Sequence, residues 1–469
     1  MNELEKLAAI EEIKQLRARF ARCMDTKQWL EMQDTITDDC EFDARDGSVV
    51  TELWHGAEDI VANIRRSLAN AVSVHHAHMP EIEITSPTTA KGIWAMADLL
   101  RFPGMPTVDL VGFGHYIEGY EKQADGRWRL KTYQLTRLRV DVTVQPTGAP
   151  VDTGPELSPD KTIKAARLTG YGGPDKFSYG TVPEPIPGPG DILVKVAAAA
   201  VNPVDAKLRS GVLSLFMPME FPAQLGGDVS GTVEAVGAGV TALKVGDRVA
   251  GMINPAKNGA YAEKIVAPAA AFVIVPEGLD LVDAAALPMG ALTGVQLIEL
   301  GVKAVPGQRI LVTGATGSVG RAAVYTAAAA GALVVAGVRG HAKGALAGLP
   351  IAGVVDLGNL DDVAAAGPYD AIADTVGGRV AERLTKFIRS GGVLASVVSP
   401  PPLPPVNAPV SSAPVWVGFD GPRLTRFLTD YVRNRWSMPV AERLPLSEVA
   451  KAHALIDAGG VGGKILLVP

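Results

Sequence analysis

The residues best suited to bind a ligand lie in a short turn, where Gly314, Gly317 and Gly320 are each separated by two residues. An apolar run, 309–313, enters the turn and an alanine-rich stretch leaves it. Glycine lets a backbone approach a phosphate closely, and a following helix N-terminus offers free N–H groups. We therefore predict that a dinucleotide phosphate binds here, at Gly314, Thr316, Gly317, Ser318, Val319 and Gly320. The alternative is a tight strand–helix turn without a ligand.

The charge that follows the next predicted strand, 333–338, indicates which dinucleotide binds. A carboxylate at this place usually binds the ribose 2′-hydroxyl of NAD. This chain has Arg339 and Lys343 instead, and a guanidinium suits a 2′-phosphate. NADP(H) is therefore the predicted cofactor. The alternative is an arginine in a solvated loop.

These residues need a sheet to hold them. Strand-like runs recur at 353–356, 371–374 and 392–396, separated by stretches that suit helices. Alternating strands and helices favour a doubly wound parallel sheet, with the glycine turn between its first strand and first helix.

The whole chain has 469 residues, 47% hydrophobic and 20% charged, with a net charge of −6. This composition is typical of folded domains and gives no basic surface for a nucleic acid. The charged first residues lack an apolar secretion core, and the apolar run 322–338 predicts a buried helix and strand. We expect a cytoplasmic protein that does not span a membrane.

The charge is unevenly distributed. Residues 1–150 hold 17 Lys and Arg against 23 Asp and Glu, five of the seven histidines and both cysteines. The remainder is neutral and rich in Gly, Ala and Val. We predict two unlike modules, 1–141 and 161–469, joined by a Pro- and Gly-containing linker at 142–160.

Motifs ahead of the predicted sheet carry a family resemblance. They are Asn202-Pro203-Val204-Asp205, Gly226-Gly227-Asp228, Val245-Gly246-Asp247-Arg248-Val249, Gly259-Ala260-Tyr261-Ala262-Glu263 and the final Gly463-Lys464. The second module resembles the zinc-independent quinone and enone reductases of the medium-chain superfamily. The resemblance implies a GroES-like β-barrel domain at 161–282, a Rossmann α/β doubly wound domain at 283–411, and a return to the first domain at 412–469.

Zinc enzymes of that superfamily hold their metal through Cys and His, but neither residue occurs between 161 and 340. No metal site is therefore predicted. The hydride acceptor must already be activated, as in an enone or a quinone.

The resemblance also assigns roles. It implies that Asn202 lies near the nicotinamide and the substrate, with a simple turn before Pro203 as the alternative. Thr293 would lie near the cofactor phosphates or amide, Thr375 and Val376 beside the nicotinamide half, and Lys464 on the pyrophosphate side. A tyrosine that often follows the Asn-Pro motif is absent, which leaves the proton donor unassigned.

The first module combines helical apolar spacing at Leu4, Leu7, Ile10, Ile13, Leu16 and Phe20 with later strand-like alternation. Together with Asp25 before Trp29, Trp54-His55-Gly56, His75-His76-Ala77-His78, Asp98 and Thr136-Arg137-Leu138-Arg139, it resembles the SnoaL-like branch of the nuclear transport factor 2-like superfamily. The resemblance implies an α+β cone. That branch includes dehydratases, although functions in the superfamily are diverse.

Carried onto this sequence, the resemblance implies an acid–base site of Asp25, His75 and Asp98, with Arg137 as an anion or carbonyl contact. His76 and His78 alternate with His75 and belong to the opposite strand face, so His75 is favoured and His78 is the second choice. Phe20 stands where related dehydratases often have a tyrosine. The alternatives are surface or core histidines, or a three-histidine metal site.

Together these features predict an NADPH-dependent, zinc-free reductase fused to a cone that dehydrates or isomerises a hydrophobic ring-bearing substrate. Dehydration yields an enone, which the reductase would consume. The expected partners are a small hydrophobic carbonyl or quinone and a second copy of the chain, as a homodimer or higher homo-oligomer. The alternatives are a non-catalytic cone that binds a ligand or dimerises, and an NADPH-binding redox sensor without turnover.

Overall fold

The computed structural model describes residues 1–43, 53–102, 107–145, 155–214, 217–340, 346, 348–398, 401–405 and 408–469. Contacts divide the chain into two units, Met1–Val151 and Asp152–Pro469. The division falls where the composition changes.

The first unit is an α+β cone. Its elements are α1 (Glu3–Asp25), α2 (Trp29–Gln33), β1 (Ile36–Asp43), β2 (Trp54–His55), α3 (Ala57–Leu68), β3 (Val72–Ile84), β4 (Thr89–Phe102), β5 (Thr107–Lys122) and β6 (Trp128–Gln145). The sheet order is β2-β1-β6-β5-β4-β3, with β1 parallel to β6 and the other pairs antiparallel. Strand β3 therefore forms one edge.

Helix α1 packs on this sheet against β3 and β6. It begins at a capping box, in which Asn2 and Glu5 exchange side-chain and backbone hydrogen bonds. Its stripe of Ile13, Leu16 and Phe20 is buried, whereas Leu4 and Leu7, part of the same predicted stripe, are exposed. The helix thus ends with Asp25 beside the edge strand.

The second unit has these elements in chain order: β7 (Glu156–Leu168), β8 (Phe177–Ile186), β9 (Asp191–Val201), α4 (Pro203–Ser210), β10 (Asp228–Val236), β11 (Arg248–Met252), β12 (Lys264–Pro268), β13 (Phe272–Ile274), α5 (Leu281–Ala284), α6 (Pro288–Gln296), β14 (Arg309–Thr313), α7 (Ser318–Ala329), β15 (Leu333–Val338), β16 (Gly353–Asp356), α8 (Leu360–Ala366), β17 (Tyr369–Asp374), α9 (Gly378–Leu384), β18 (Ile388–Ser396), β19 (Ser411–Pro414), α10 (Gly421–Val432), β20 (Val440–Pro445), α11 (Val449–Ala458) and β21 (Lys464–Val468).

Two sheets dominate this unit. A seven-stranded sheet runs β13-β11-β10-β9-β21-β20, with β12 also on β9, and so joins the early part of the unit to its last strand. A six-stranded sheet runs β16-β15-β14-β17-β18-β19, and all its pairs are parallel. This is the strand order 3-2-1-4-5-6 of the doubly wound dinucleotide-binding fold.

Three predicted boundaries need correction. The predicted linker 142–160 is shorter, because β6 continues to Gln145 and β7 begins at Glu156. Strand β6 continues to Gln145 because Gln145 pairs with Thr107 at the start of β5. The predicted Rossmann end at 411 would cut β19, which pairs with β18 from Ser411 to Pro414.

One helical stretch, Leu281–Val302, is long and apolar enough to cross a membrane by length and composition. Within the unit, however, 78% of its most apolar window is buried. Burial of that kind is typical of a core helix. The apolar run 322–338 forms the end of α7 and strand β15, the buried helix and strand that the sequence predicts.

Candidate functional site

The cone brings a histidine and an aspartate into direct contact. Asp25 ends α1 and His75 lies on β3, and the Nδ1 atom of His75 is 2.6 Å from Oδ1 of Asp25. The backbone N–H of His75 donates to the other carboxylate oxygen at 2.9 Å. With Nδ1–H donating to Asp25, the Nε2 atom of His75 carries the lone pair and is able to accept a proton.

A third hydrogen bond fixes this pair. The hydroxyl of Ser73 donates to Oδ1 of Asp25 at 2.9 Å. Burial acts to raise the pKa of Asp25, but the bonds from His75 and Ser73 outweigh it and lower that pKa. Asp25 is therefore the charged partner of the imidazole.

The second candidate carboxylate lies on the neighbouring strand. Asp98 is the cross-strand partner of His75, so both side chains are on one face of the sheet. The hydroxyl of Tyr116 donates to Asp98 at 2.5 Å, and Nη2 of Arg137 is 3.5 Å from its other oxygen. Burial and the charge of Asp98 raise the pKa of Tyr116 well above its usual value.

Glycine makes room for this arrangement. Gly112 is the β5 partner of Asp98, and a Cβ atom at that position would lie 2.1 Å from Nη1 of Arg137. The missing side chain lets the guanidinium reach the carboxylate. Tyr116 also supplies a buried phenol, although Phe20 stands where related dehydratases often have a tyrosine.

The structure separates the three histidines as strand alternation predicts. His75 is largely buried on the inner face, whereas His76 and His78 are on the outer face, His78 exposed. His78, the second choice for the acid–base site, is exposed on the outer face and borders the same cleft as Asp25 and His75, but no described contact joins it to Asp25 or Asp98. Among the described residues, no group of three His, Cys, Asp or Glu is arranged to hold a metal ion.

The histidine–aspartate pair is reached through a cleft of about 520 Å³ between α1 and β3. Asp25 and His75 lie on its wall, with Arg17 and Trp94. Arg17 pairs with the buried Glu118 at 2.8 Å. The cleft gives a small molecule access to an acid–base pair.

In the second unit, the glycine turn lies between β14 and α7 as predicted. Gly314 has a φ of +62°, which favours glycine. A Cβ atom on Gly320 would lie 2.2 Å from the carbonyl oxygen of Gly314, so only glycine lets α7 start this close to β14. No described side chain caps the N-terminus of α7 at Gly317. The turn and this helix N-terminus fit a dinucleotide phosphate.

A buried aspartate organises the neighbouring loop. Asp374, fully buried, accepts hydrogen bonds from Thr313 at 2.8 Å, from Ser396 at 2.7 Å and from the backbone of Gly377 at 3.1 Å. These bonds tie the carboxyl ends of β14, β17 and β18 together. A Cβ atom on Gly314 would lie 2.5 Å from the hydroxyl of Thr375. Thr375 and Val376 thus lie against the glycine turn.

The structure also locates Thr293 and Arg339, two further residues predicted to contact the cofactor. Thr293 is buried on α6, and this helix packs on the start of α7, where a Cβ on Gly290 would lie 3.1 Å from Ser318. Arg339 is exposed directly after β15, and Asp356 ends the neighbouring strand β16. Lys343 lies outside the described residues.

Asn202 and Lys464 belong to one buried network. The ammonium of Lys464 donates to Asn202 at 2.5 Å and to Asp228 at 2.9 Å, and the amide of Asn202 donates to Asp228 at 3.1 Å. Asp228 also accepts from the backbone N–H of Met289 at 2.7 Å. Lys464, expected on the pyrophosphate side, is therefore held by Asn202 and Asp228.

A second carboxylate lies beside this network. Asp205, with no exposed surface, accepts from the backbone N–H of Asn202 at 2.8 Å and from the hydroxyl of Tyr261 at 3.1 Å. Burial raises the pKa of Asp205 to about 7. The sequence motifs contain Asp205 and Asp228, but nothing in them indicated that the two carboxylates lie in neighbouring hydrogen-bond networks.

Three comparisons place this geometry among known proteins. Residues 5–134 match the family described as SnoaL-like domain, 188–277 the alcohol dehydrogenase GroES-like domain, and 351–467 the zinc-binding dehydrogenase family.

The side chains around Asn202 do not fit a zinc ion, because the cation of Lys464 already neutralises Asp228.

Among curated relatives, mouse mitochondrial NAD(P)H oxidoreductase RTN4IP1 is 31% identical over 295 residues, 58% of this chain and 74% of that relative. The chloroplastic quinone-oxidoreductase homolog of spinach is 37% identical over 173 residues, 36% of this chain and about half (53%) of that protein. These relatives support the oxidoreductase class for the second unit, which follows a separate SnoaL-like module.

Solved structures give the same class. A quinone oxidoreductase from Coxiella burnetii has 25% identity and a TM-score of 0.60, covering 66% of this chain and all of that one. A mycobacterial protein complexed with NADPH has 28% identity and a TM-score of 0.57, covering 65% and 100%. The chain belongs to the medium-chain dehydrogenase/reductase family of quinone-oxidoreductase type, fused to a SnoaL-like domain.

Proposed function

We propose that the second unit is an NADPH-dependent oxidoreductase that reduces an activated double bond, in an enone or a quinone, without zinc. The glycine turn with its uncapped helix N-terminus carries this proposal, because it is built for a dinucleotide phosphate. Oxidoreductase relatives support the reaction class. Bound NADPH would supply the hydride.

The choice of NADPH over NADH is supported by Arg339, an exposed cation directly after β15, a strand that itself contains no carboxylate. NADH is the second candidate, because Asp356 lies at the end of the next strand and a Cβ on Gly340 would be 2.5 Å from it. Arg339→Ala should weaken NADPH binding about tenfold and leave NADH binding unchanged. Equal loss for both would contradict the assignment.

The cone, in the same proposal, dehydrates or isomerises a hydrophobic ring-bearing carbonyl compound. His75 would remove the proton next to the carbonyl, and Tyr116 or Arg137 would stabilise the carbonyl oxygen. The proton returns to the leaving hydroxyl as water departs. Because the product of dehydration is an enone, the two units would catalyse consecutive steps.

The test uses the full chain. NADPH absorbance is followed with 1,4-benzoquinone and 2-cyclohexenone, and enone absorbance with a cyclic β-hydroxy ketone. Rapid NADPH oxidation supports the reductase and contradicts a redox sensor without turnover. If Asp25→Ala and His75→Ala leave every rate unchanged, the cone is a binding or dimerising module.

We also propose a homodimer or higher homo-oligomer in the cytoplasm. Exposed apolar side chains on the outer face of the cone sheet, Val74, Leu99 and Phe113, support self-association. Light scattering after size-exclusion chromatography tests the oligomer. The burial of Leu281–Val302 supports a protein that does not span a membrane.

A further inference from the structure

Lys27 stands where a helix usually has glycine. It follows the end of α1 and has a φ of +62°, the left-handed region that residues with a Cβ atom rarely adopt. A residue with a Cβ atom in this strained conformation, next to a candidate site, is expected to make a contact that compensates for the strain.

The side chain of Lys27 provides such a contact. Its ammonium donates to the hydroxyl of Ser73 at 3.0 Å, and Ser73 donates to Oδ1 of Asp25 at 2.9 Å. The same oxygen accepts from Nδ1 of His75. The ammonium also lies 5.8 Å from the ring centre of Trp29. Lys27 is therefore the outer member of a hydrogen-bonded chain that ends at the imidazole.

Asp25 needs a cation at this place. It is the last residue of α1, where the helix dipole is negative and disfavours a carboxylate. The half-buried ammonium of Lys27 offsets that penalty. Burial lowers the pKa of Lys27, and the charge of Asp25 acts against this shift, as expected for two groups that interact.

We propose that Lys27 is a positioning residue of the cone site: through Ser73 it holds Asp25 on Nδ1 of His75 and so leaves Nε2 of His75 available as a base. The proposal rests on the acid–base function proposed for the cone. It assigns to Lys27 a role that the motif Asp25…His75 alone does not contain.

The direction of the effect follows from the charges around His75. The groups around it are Asp25 from α1, Lys27 from the following loop, Asp98 from β4, Tyr116 from β5 and Arg137 from β6, and the cleft wall adds Lys14, Arg17 and Arg22 from α1 and His76 and His78 from β3. Removing Lys27 takes away one positive charge and leaves Asp25 less compensated. A positive charge on the imidazole is then opposed less strongly than in the wild type, so Lys27 is expected to favour the neutral base.

The experiment measures this neutral base without a substrate. Diethyl pyrocarbonate modifies unprotonated imidazole nitrogens, and mass spectrometry of the full chain resolves the rate at His75 from the rates at His76 and His78. In Lys27→Met the rate at His75 should fall about threefold at pH 6.0 and stay unchanged at pH 8.0. The exposed His78 is the internal reference.

Two further variants complete the test. Lys27→Arg, which keeps the cation, should restore the rate at pH 6.0. Lys27→Gly removes the backbone strain together with the ammonium, so it should repeat the pattern of Lys27→Met with a higher thermal midpoint than that variant. A merely structural role would instead change the rate equally at both pH values.

The outcomes separate the proposal from the cone function. Equal rates in the wild type and Lys27→Met at pH 6.0, or a parallel change at pH 8.0, would overturn the role of Lys27. An unreactive His75 in the wild-type protein at both pH values would overturn the base function itself.

Discussion

The Asn202–Asp228–Lys464 network and the Asp25–His75 pair differ in how far water reaches them. In the second unit, the side chains of Lys464 and Asp228 are 4% and 0% exposed. In the cone, those of His75 and Asp25 are 7% and 19% exposed and lie beside a cleft. A sealed charge pair must be complete for the fold to hold, whereas an open pair can exchange protons with a ligand. Removing one partner should therefore affect stability in the first network and function in the second.

The largest effect on stability is expected for Lys464→Met. This change leaves the carboxylate of Asp228 buried without its cation, which costs about 3–5 kcal/mol. The free energy of unfolding, from urea titration of the full chain, would measure it. The transition of the second unit should move and that of the cone should not.

Lys451→Met is the matched control, because Lys451 pairs with Glu448 at 2.8 Å on the exposed face of α11. Loss of such a surface pair costs about 0–1 kcal/mol. Similar losses for the two methionine variants would mean that the Asn202–Asp228–Lys464 network is not sealed.

The second effect depends on pH. Burial raises the pKa of Asp205 to about 7 in the folded chain, against about 4 when unfolded. The folded state then binds more protons than the unfolded state between these values, so stability falls as the pH rises from about 4 to 7. Asp205→Asn removes this dependence and should gain about 2–4 kcal/mol relative to the wild type across that range.

His453 gives the stability a pH dependence of the opposite sign. This contribution cancels when the wild type is compared with Asp205→Asn. Burial, with the charge of Arg209, lowers the pKa of His453 to about 3, so stability is lost as the pH falls from about 6.5 towards 3. Both proteins contain His453. A pH-independent difference between wild type and Asp205→Asn would show that Asp205 is charged in the fold.

The features of the two sites that could be predicted from the sequence are those set by residues close together along the chain. The spacing of Gly314, Gly317 and Gly320 predicts a turn because the strand, the turn and the helix follow one another directly. Strand alternation likewise separates His75 from His78. Both are local rules.

Contacts between distant residues could not be predicted in this way. Ser73 meets Asp25 from 48 residues away, and Lys464 meets Asn202 from 262 residues away. The phenol of the site comes from Tyr116 on β5. The family resemblance instead pointed to the position of Phe20 on α1, so it gave no indication of Tyr116. The domain boundary at 411 failed for the same reason, because β19 is defined by its pairing with β18.

A smaller effect is expected for Gly112→Ala on the inner face of the cone. The added methyl group lies where Nη1 of Arg137 now stands, so the guanidinium must leave Asp98. Overpacking of this kind costs about 1–2 kcal/mol. Cone turnover should fall as well, while NADPH oxidation by benzoquinone is unchanged.

Gly126→Ala gives the contrast, since no atom lies within 4 Å of a Cβ at Gly126. Its φ of +78° strains the turn between β5 and β6, so stability falls while cone turnover is kept. If both alanine variants lower turnover alike, the loss comes from stability and not from Arg137.

The smallest change in stability and the largest in cone chemistry should come from Asp25→Asn. The amide keeps the shape of the carboxylate beside a partly open cleft, so the free energy of unfolding should fall by about 1 kcal/mol or less. The asparagine can no longer hold the tautomer of His75 by charge, and turnover of a cyclic β-hydroxy ketone should fall at least about 100-fold. Asp34→Asn, at a surface carboxylate paired with Arg127 and Arg129, should lose a similar amount of stability and keep full turnover. Asp25 and Asp228 each accept three hydrogen bonds, so their different exposure explains why a change at Asp25 would affect chemistry and the loss of Lys464 beside Asp228 would affect the fold.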